Sequence, residues 1–248
     1  MSGFSVLMYH EVLPRSSWPG SGAGPVRTAQ GVTDVLPPPL YVWEEDFVAQ
    51  MEFLSREGFS VVSIGQVVEF YRTGQSLPPR AVLLTFDDLW KGGMTAAYPV
   101  LQRLGLPALA FLVRSWVFDT PQTPLPGSPV CLARGEWESL GDVFSFGNHT
   151  DALHVRGTAG PALLSVSAEA FIVDLRRCEE WTTQKGVFAY PFGAVGEVAP
   201  PALAREGFSL GFTTEPGLND AATDPLRLRR NVVPRDAGLD QFAALLPR

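Results

Sequence analysis

The sequence predicts a distorted or incomplete (β/α) barrel of about seven parallel strands, with an open doubly wound sheet as the alternative. Two observations carry that prediction. Apolar runs of strand length alternate with segments of helical period along all 248 residues, the order expected of parallel β/α units. The run Ala81-Val-Leu-Leu84 is apolar without alternation, as in a strand buried on both faces. No linker divides the chain and no internal repeat is visible, so residues 1–248 read as a single domain. Its 46% hydrophobic content is ample for a core.

Phe4 to Tyr9 is the first expected strand, ending at His10. Pro14 to Pro39 is rich in Gly, Pro and Ser and reads as a long loop, of the kind that is often functional. A helix is expected from Glu44 to Glu57, with Phe47, Met51 and Leu54 on one face and Gly58 as its terminator. Ser60 to Ser63 is a short strand and Ile64 to Arg72 a helix. Pro78-Pro79 breaks the chain before the strand that begins at Ala81. A helix at Met94 to Leu104, a strand at Ala108 to Val113 and a Pro-rich loop at Thr120 to Pro129 follow. Next come a short helix at Glu136 to Leu140 and a strand at Val143 to Gly147, which leads to His149. The longest helix is expected from Ser167 to Lys185. Strands at Val187 to Tyr190 and Ser209 to Thr213, with helices at Pro201 to Glu206 and Leu239 to Leu246, complete the alternation.

Composition excludes several function classes. The formal net charge is −7 and no basic run appears, which argues against nucleic acid or anionic membrane surfaces as partners. No apolar run is long enough to span a bilayer. The N-terminus lacks the basic and apolar regions of a signal peptide, so the sequence as it stands reads as cytoplasmic, or extracytoplasmic if its start is truncated. Cys131 and Cys178 fit no metal pattern and read as buried free thiols. No dinucleotide glycine fingerprint follows any strand, and the oligomeric state is left open.

The chemistry concentrates at strand ends. Asp87 and Asp88 close the central strand; two unpaired acids there would repel and be costly to desolvate unless one of them held a cation. Only three histidines occur, His10, His149 and His154. His10, His149, the Asp pair and the turn Pro191-Phe192-Gly193 each fall just past the C-terminal end of an expected strand, the rim where parallel β/α folds build active sites. His149 and His154 are five residues apart, not the four that stack two ligands on one helical face, so a loop or helix start must bring them together, with Thr150 and Asp151 available to cap it. Two imidazoles and a carboxylate suit zinc and its neighbours and leave open positions for water and substrate.

Thr85-Phe-Asp-Asp88, then His149-Thr with His154, then Tyr190-Pro-Phe-Gly193, in this order, resemble the motifs of the polysaccharide deacetylases, the fourth carbohydrate esterase family with its NodB homology domain. Leu7-Met-Tyr-His10 and Phe212-Thr-Thr-Glu-Pro-Gly217 resemble the branch that deacetylates poly-N-acetylglucosamine. The resemblance covers nearly the whole chain as one catalytic domain and implies a distorted β/α barrel. It implies that Asp88, His149 and His154 bind one divalent metal ion, zinc, with cobalt or nickel as alternatives. It implies Asp87 as the general base, and the turn of Tyr190, Pro191, Phe192 and Gly193 as the substrate and oxyanion site, with Phe192 at the family's tyrosine position. Three features depart from the pattern. Leu89 stands where the family usually has Gly. Ala189 stands where an arginine usually steadies the base. The late leucine-x-histidine motif that supplies the acid is absent, and with two histidines assigned to the metal, His10 is left as the general acid.

The expected activity is removal of N-acetyl groups from an N-acetylated sugar or polysaccharide, with Tyr9 and Trp90 as aromatics that either stack on sugar faces at the rim or pack in the core. The rival readings are a hydrolase of a non-sugar amide and a non-catalytic carbohydrate-binding relative.

Overall fold

The computed structural model of the protein describes residues 3–18 and 22–248. Positions 19–21 of the expected loop from Pro14 to Pro39, and residues 1 and 2, lie outside the described residues.

The elements run β1 (Ser5–Tyr9), β2 (Glu11–Leu13), β3 (Tyr41–Trp43), α1 (Glu44–Arg56), β4 (Ser60–Val61), α2 (Ile64–Thr73), β5 (Ala81–Asp87) and α3 (Lys91–Leu104). They continue with β6 (Ala108–Leu112), α4 (Arg134–Glu138), β7 (Phe144–Asn148), the hairpin β8 (Arg156–Gly157) and β9 (Gly160–Pro161), α5 (Ala168–Glu179), β10 (Val187–Ala189), α6 (Ala199–Arg205), β11 (Leu210–Phe212), β12 (Asn231–Val232) and α7 (Leu239–Ala243). Seven strands follow one another across a curled sheet in the order β11-β10-β7-β6-β5-β1-β12, and β4 pairs with the start of β5. Every pairing in this sheet is parallel.

The last segment draws the two edges together. Leu228 forms a parallel bridge with Phe212 at the end of β11, and Asn231, three residues on, pairs with Leu7 of β1. Residues 228–232 therefore touch both edges of the curled sheet, and Arg230 sits between the two contacts.

Strand alternation sorts the core. Val82, Leu84 and Phe86 of β5 belong to the cluster that also holds Phe47 and Met51 of α1 and Met94 and Leu101 of α3. Leu83 joins a second cluster with Val6, Leu109, Phe111, Val187 and Phe212. Thr85 and Asp87 share Leu83's parity, so β5 presents Asp87 to the same inner side.

Several expected elements change at their ends. The helix expected over 167–185 starts as predicted, with Ser167 Oγ accepting from Ala170 N–H at 3.2 Å, but stops at Glu179. There β7 captures the chain: Thr183 and Gln184 N–H both donate to Phe146 O, and Phe146 N–H donates to Thr183 Oγ1. The short helix lies two residues earlier than expected, because Glu136 reaches back to accept from Ala133 N–H at 2.9 Å. The small parallel pair β2–β3 flanks the expected loop from Pro14 to Pro39 on either side and matches no element expected from the sequence.

Gly92 and Gly93 set how α3 meets the end of β1. A Cβ at Gly93 would lie 2.3 Å from His10 O, and one at Gly92 would lie 2.3 Å from Glu11 Oε1. At Gly93 the neighbour is backbone and no side chain fits, whereas at Gly92 the Glu11 carboxylate would have to move. The N-terminus of α3 thus packs directly on the backbone that carries His10.

Candidate active site

Asp87 is the last residue of β5, and the next two residues leave the strand through positive φ, +73° at Asp88 and +54° at Leu89. Such a turn is costly for residues other than glycine. Here Leu89 is fully buried in the main core cluster, and Leu132 N–H donates to its carbonyl at 3.0 Å. The turn frees both carboxylates from the alternation of the strand, and both line one cavity of about 470 Å³.

His10, His149 and His154 line the same cavity. Asp88, His149 and His154 each offer a ligand atom, and these atoms all lie within 4.8 Å of one another. Asp88 Oδ1 is 3.6 Å from His149 Nε2 and 3.4 Å from His154 Nε2. This oxygen is buried and has no hydrogen-bond partner among the described residues, an orphan of the kind that marks a place for an ion. Its sister Oδ2 accepts from the Trp90 indole N–H at 3.1 Å. His149 Nδ1 lies 2.8 Å from Ala189 O. Donation of Nδ1–H to that carbonyl fixes the tautomer and leaves the Nε2 lone pair for a cation, the usual support of a metal-ligating histidine. Burial lowers the pKa of both imidazoles, so both rings are uncharged at neutral pH with a lone pair free to bind a cation. Burial, and then the charge of Asp87, push Asp88 well above the carboxylate range. A bound cation would reverse that, so the donor set fits a divalent metal ion.

Asp87 is not a ligand of this kind. Its two oxygens accept from Arg230 Nη1 and Nη2 at 2.7 and 2.8 Å, a forked pair in which Arg230 is fully buried. Burial alone would raise the Asp87 carboxyl; Arg230, with His149 and His10 behind it, more than offsets this and holds it well below its ordinary value. The arginine that Ala189 appeared to lack is therefore present. It comes from the closing segment of the barrel, while the Ala189 carbonyl holds His149. His10 Nε2 lies 3.9 Å from Asp87 Oδ2. Burial pulls His10 down to about 4, with Asp87 opposing and Arg230 and His149 adding to the shift, so it is uncharged at neutral pH.

The turn at Pro191-Phe192-Gly193 is a single 3-10 turn with Phe192 at φ +58°. Gly193 is required, since a Cβ there would lie 2.0 Å from Thr214 Oγ1. The Phe192 ring is held between the His154 imidazole, 4.3 Å away between centroids, and the Arg156 guanidinium, 3.8 Å from its centroid. Phe192, Gly193 and Tyr190 line the cavity. The Tyr190 hydroxyl donates to Leu226 O at 2.8 Å, and Pro191 is buried outside the cavity lining.

Other expectations are corrected. Tyr9 is no rim aromatic: it is buried, stacked on Phe86, and its hydroxyl donates to Gln50 Oε1 at 3.0 Å. Trp90 does line the cavity, and its indole N–H is the donor to Asp88 Oδ2. Thr150 Oγ1 has no partner among the described residues, and Asp151 Oδ1 accepts from Arg114 at 3.0 Å. The long loop does cover the rim, where Val26, Asp34, Val35 and Leu36 line the cavity. Arg230 is the residue that sequence reasoning missed. It lies in a run with Arg227 and Arg229 that nothing local tells apart.

The chain matches a family model described as polysaccharide deacetylase over residues 74–210. The poly-beta-1,6-N-acetyl-D-glucosamine N-deacetylase of Escherichia coli is 29% identical over 78% of this chain and 34% of its own length. The protein of the same name from Staphylococcus epidermidis is 22% identical over 79% of this chain and 69% of its own. The chain thus spans about a third of the length of the Escherichia coli relative. Among solved structures, IcaB from Ammonifex degensii superposes with a TM-score of 0.77 at 24% identity, covering 99% and 97% of the two chains. The Streptococcus pyogenes deacetylase PplD, in complex with acetate, superposes with a TM-score of 0.76 at 20% identity, covering 98% of each. These two likenesses establish the fold.

Proposed function

The chain belongs to the polysaccharide deacetylase family, and on that premise we propose that it is a metal-dependent hydrolase that removes N-acetyl groups from a polymer of N-acetylglucosamine. One observation carries the reading. The Asp88, His149 and His154 donor atoms and the Asp87–His10 pair open into one cavity. The names of the relatives support the β-1,6-linked polymer as the substrate, and the imidazole-rich donor set supports zinc.

When bound, the cation would supply Lewis-acid polarisation of the acetyl carbonyl and make a nucleophile available from water at neutral pH. The chain's own groups handle the protons and the orientation. Arg230 holds Asp87 ionised and fixes the direction of its oxygens, so Asp87 is ready to accept a proton as general base. The leaving nitrogen needs a proton in turn, because an amine anion is too basic to depart. His10 is neutral at rest and so gains that proton during the cycle; Asp87, 3.9 Å away, is the adjacent source. The backbone N–H of Phe192 is the proposed oxyanion donor, in a turn whose positive φ is held by the stacking of its ring. Strain of this kind clusters at functional sites.

The test is acetate release from N-acetylglucosamine oligomers and from small acyl amides, measured with zinc, with added chelator and with Asp87→Asn. Zinc-dependent release from the oligomers, reduced roughly 10²–10⁴-fold in the variant, supports the reading. Release from the small amides alone would favour a non-sugar amidase. Retained zinc with no release from either would make the protein a binding relative.

A further inference from the structure

His149 and His154 are joined by four residues that form no helix. In a helix their N–H groups would be satisfied by the element's own carbonyls. Here the backbone turns through φ +80° at Thr150, and its donors need acceptors from elsewhere. Asn148 Oδ1 accepts from Thr150 N–H at 3.0 Å. The next two N–H groups converge on one carboxylate of α5: Asp151 N–H donates to Asp174 Oδ1 at 2.8 Å and Ala152 N–H to Asp174 Oδ2 at 2.7 Å. On the other side of the loop, Asp151 O accepts from Ser115 N–H at 2.9 Å and from Ser115 Oγ–H at 2.6 Å.

Asp174 is 8% exposed, on the helix face that otherwise buries Phe171, Ile172, Leu175 and Cys178. An apolar residue would be the ordinary occupant of such a position. Burial raises its carboxyl to about 6, against the pull of the Ala152 and Asp151 N–H groups, and an apolar side chain in its place would leave both N–H groups without their acceptor. It lies outside the cavity lining and touches neither the Asp87–His10 pair nor the three donor groups. What it fixes is the pair of peptide units midway between the two histidines.

We propose that Asp174 is a positioning residue of the metal centre: by clamping the peptides at Asp151 and Ala152 it sets the separation of the His149 and His154 rings, and through it the metal affinity. The clamp replaces the helical register that a five-residue spacing forgoes. The proposal rests on Asp88, His149 and His154 being the ligands.

The full-length protein would be stripped of metal and titrated with Zn²⁺ against a chromogenic chelator, as wild type, Asp174→Asn and Asp174→Glu. The visible absorption of each Co²⁺-loaded form would be recorded in parallel. Outer partners of metal ligands typically carry 10–100-fold in affinity, so Asp174→Asn is expected to weaken Zn²⁺ binding about 10-fold or more and to alter the Co²⁺ bands. Asp174→Glu, which keeps the carboxylate but displaces it by a methylene, is expected to fall between and serves as the reading if Asp174→Asn does not fold. A purely structural role would lower the melting temperature and leave the folded protein's Zn²⁺ affinity and Co²⁺ spectrum unchanged; that result would overturn the proposal. A wild-type protein that binds Zn²⁺ no better than His149→Ala would instead overturn the ligand assignment, and the proposal with it.

Discussion

Arg230 and Asp87 form a forked ion pair, 2.7 and 2.8 Å long, between residues 143 positions apart. The pair joins the central strand to the segment that touches both edges of the sheet, so one contact closes the fold and orients the proposed base. Removing one partner of a buried pair leaves an uncompensated charge, at a cost of about 3–5 kcal/mol. Arg230→Met is therefore expected to lower stability by that order in chemical denaturation and to depress acetate release. Arg230→Lys keeps the charge but not the fork and should recover part of the stability while activity stays low. Wild-type activity in Arg230→Lys would show that the fork does not orient the base.

The same contact shows what the sequence could not express. Asp87, Asp88 and His149 are legible because each closes a strand whose apolar run is local, His154 is legible only as the second imidazole of the His149 segment, and the expected rim is the one observed. Arg230 is not, because its partner is distant in sequence and its neighbours Arg227 and Arg229 have the same chemistry. Trp90 and Tyr9 are ambiguous in the sequence for a related reason. An aromatic at a strand end can stack on a ligand or pack inward, and only the tertiary partners, Asp88 Oδ2 for Trp90 and Gln50 for Tyr9, separate the two. The helix expected over 167–185 stops short of Thr183, whose backbone and hydroxyl are taken by Phe146 of β7.

Gly93 and Gly135 give a paired test of the packing beneath His10. A Cβ at Gly93 meets a backbone oxygen, His10 O, at 2.3 Å, whereas at Gly135 nothing lies within 4 Å. Gly93→Ala is expected to cost roughly 1–3 kcal/mol through overpacking and to impair activity by displacing His10. Gly135→Ala, inside α4, should gain up to about 1 kcal/mol from helix propensity. Equal melting temperatures for the two variants would mean that α3 can shift away from β1 without penalty.

Glu11 makes stability depend on pH. Its side chain accepts from Val12 N–H at 3.1 Å at the packed start of α3, but burial dominates and raises its pKa to about 8, against the pull of the Gly93 and Val12 N–H groups. The folded value exceeds the ordinary 4.5 of the unfolded chain. The folded state therefore binds this proton more tightly, and the contribution is fully present below about 4.5 and lost as pH rises through about 8. Glu11→Gln keeps an acceptor and cannot ionise. Its melting temperature relative to wild type should rise steadily between pH 5 and 8 and level off above. These bounds follow from the two pKa values. A difference that does not change with pH would mean that Glu11 is ionised throughout.

His10→Ala tests the route of the proton. His10 Nε2 stands 3.9 Å from Asp87 Oδ2, and burial lowers its pKa to about 4, so it cannot enter the cycle as a standing acid at neutral pH. It must be charged by a neighbour. Asp87 is the neighbouring carboxylate, and the leaving nitrogen is the group that needs the proton. Tyrosine is a poor substitute, since the hydroxyls of Tyr9 and Tyr190 are tied to Gln50 and Leu226 and burial raises both pKa values. The variant should keep its fold and its zinc, because His10 is not among the three donors. On amides it should lose roughly 10²–10⁴ in kcat, the usual contribution of a positioned acid. On an activated aryl acetate, whose leaving group departs without protonation, the loss should be far smaller. Steady-state rates on both substrates decide the matter. Equal losses on amide and ester would place His10 with the base or the nucleophile, and no loss on either would remove it from the mechanism.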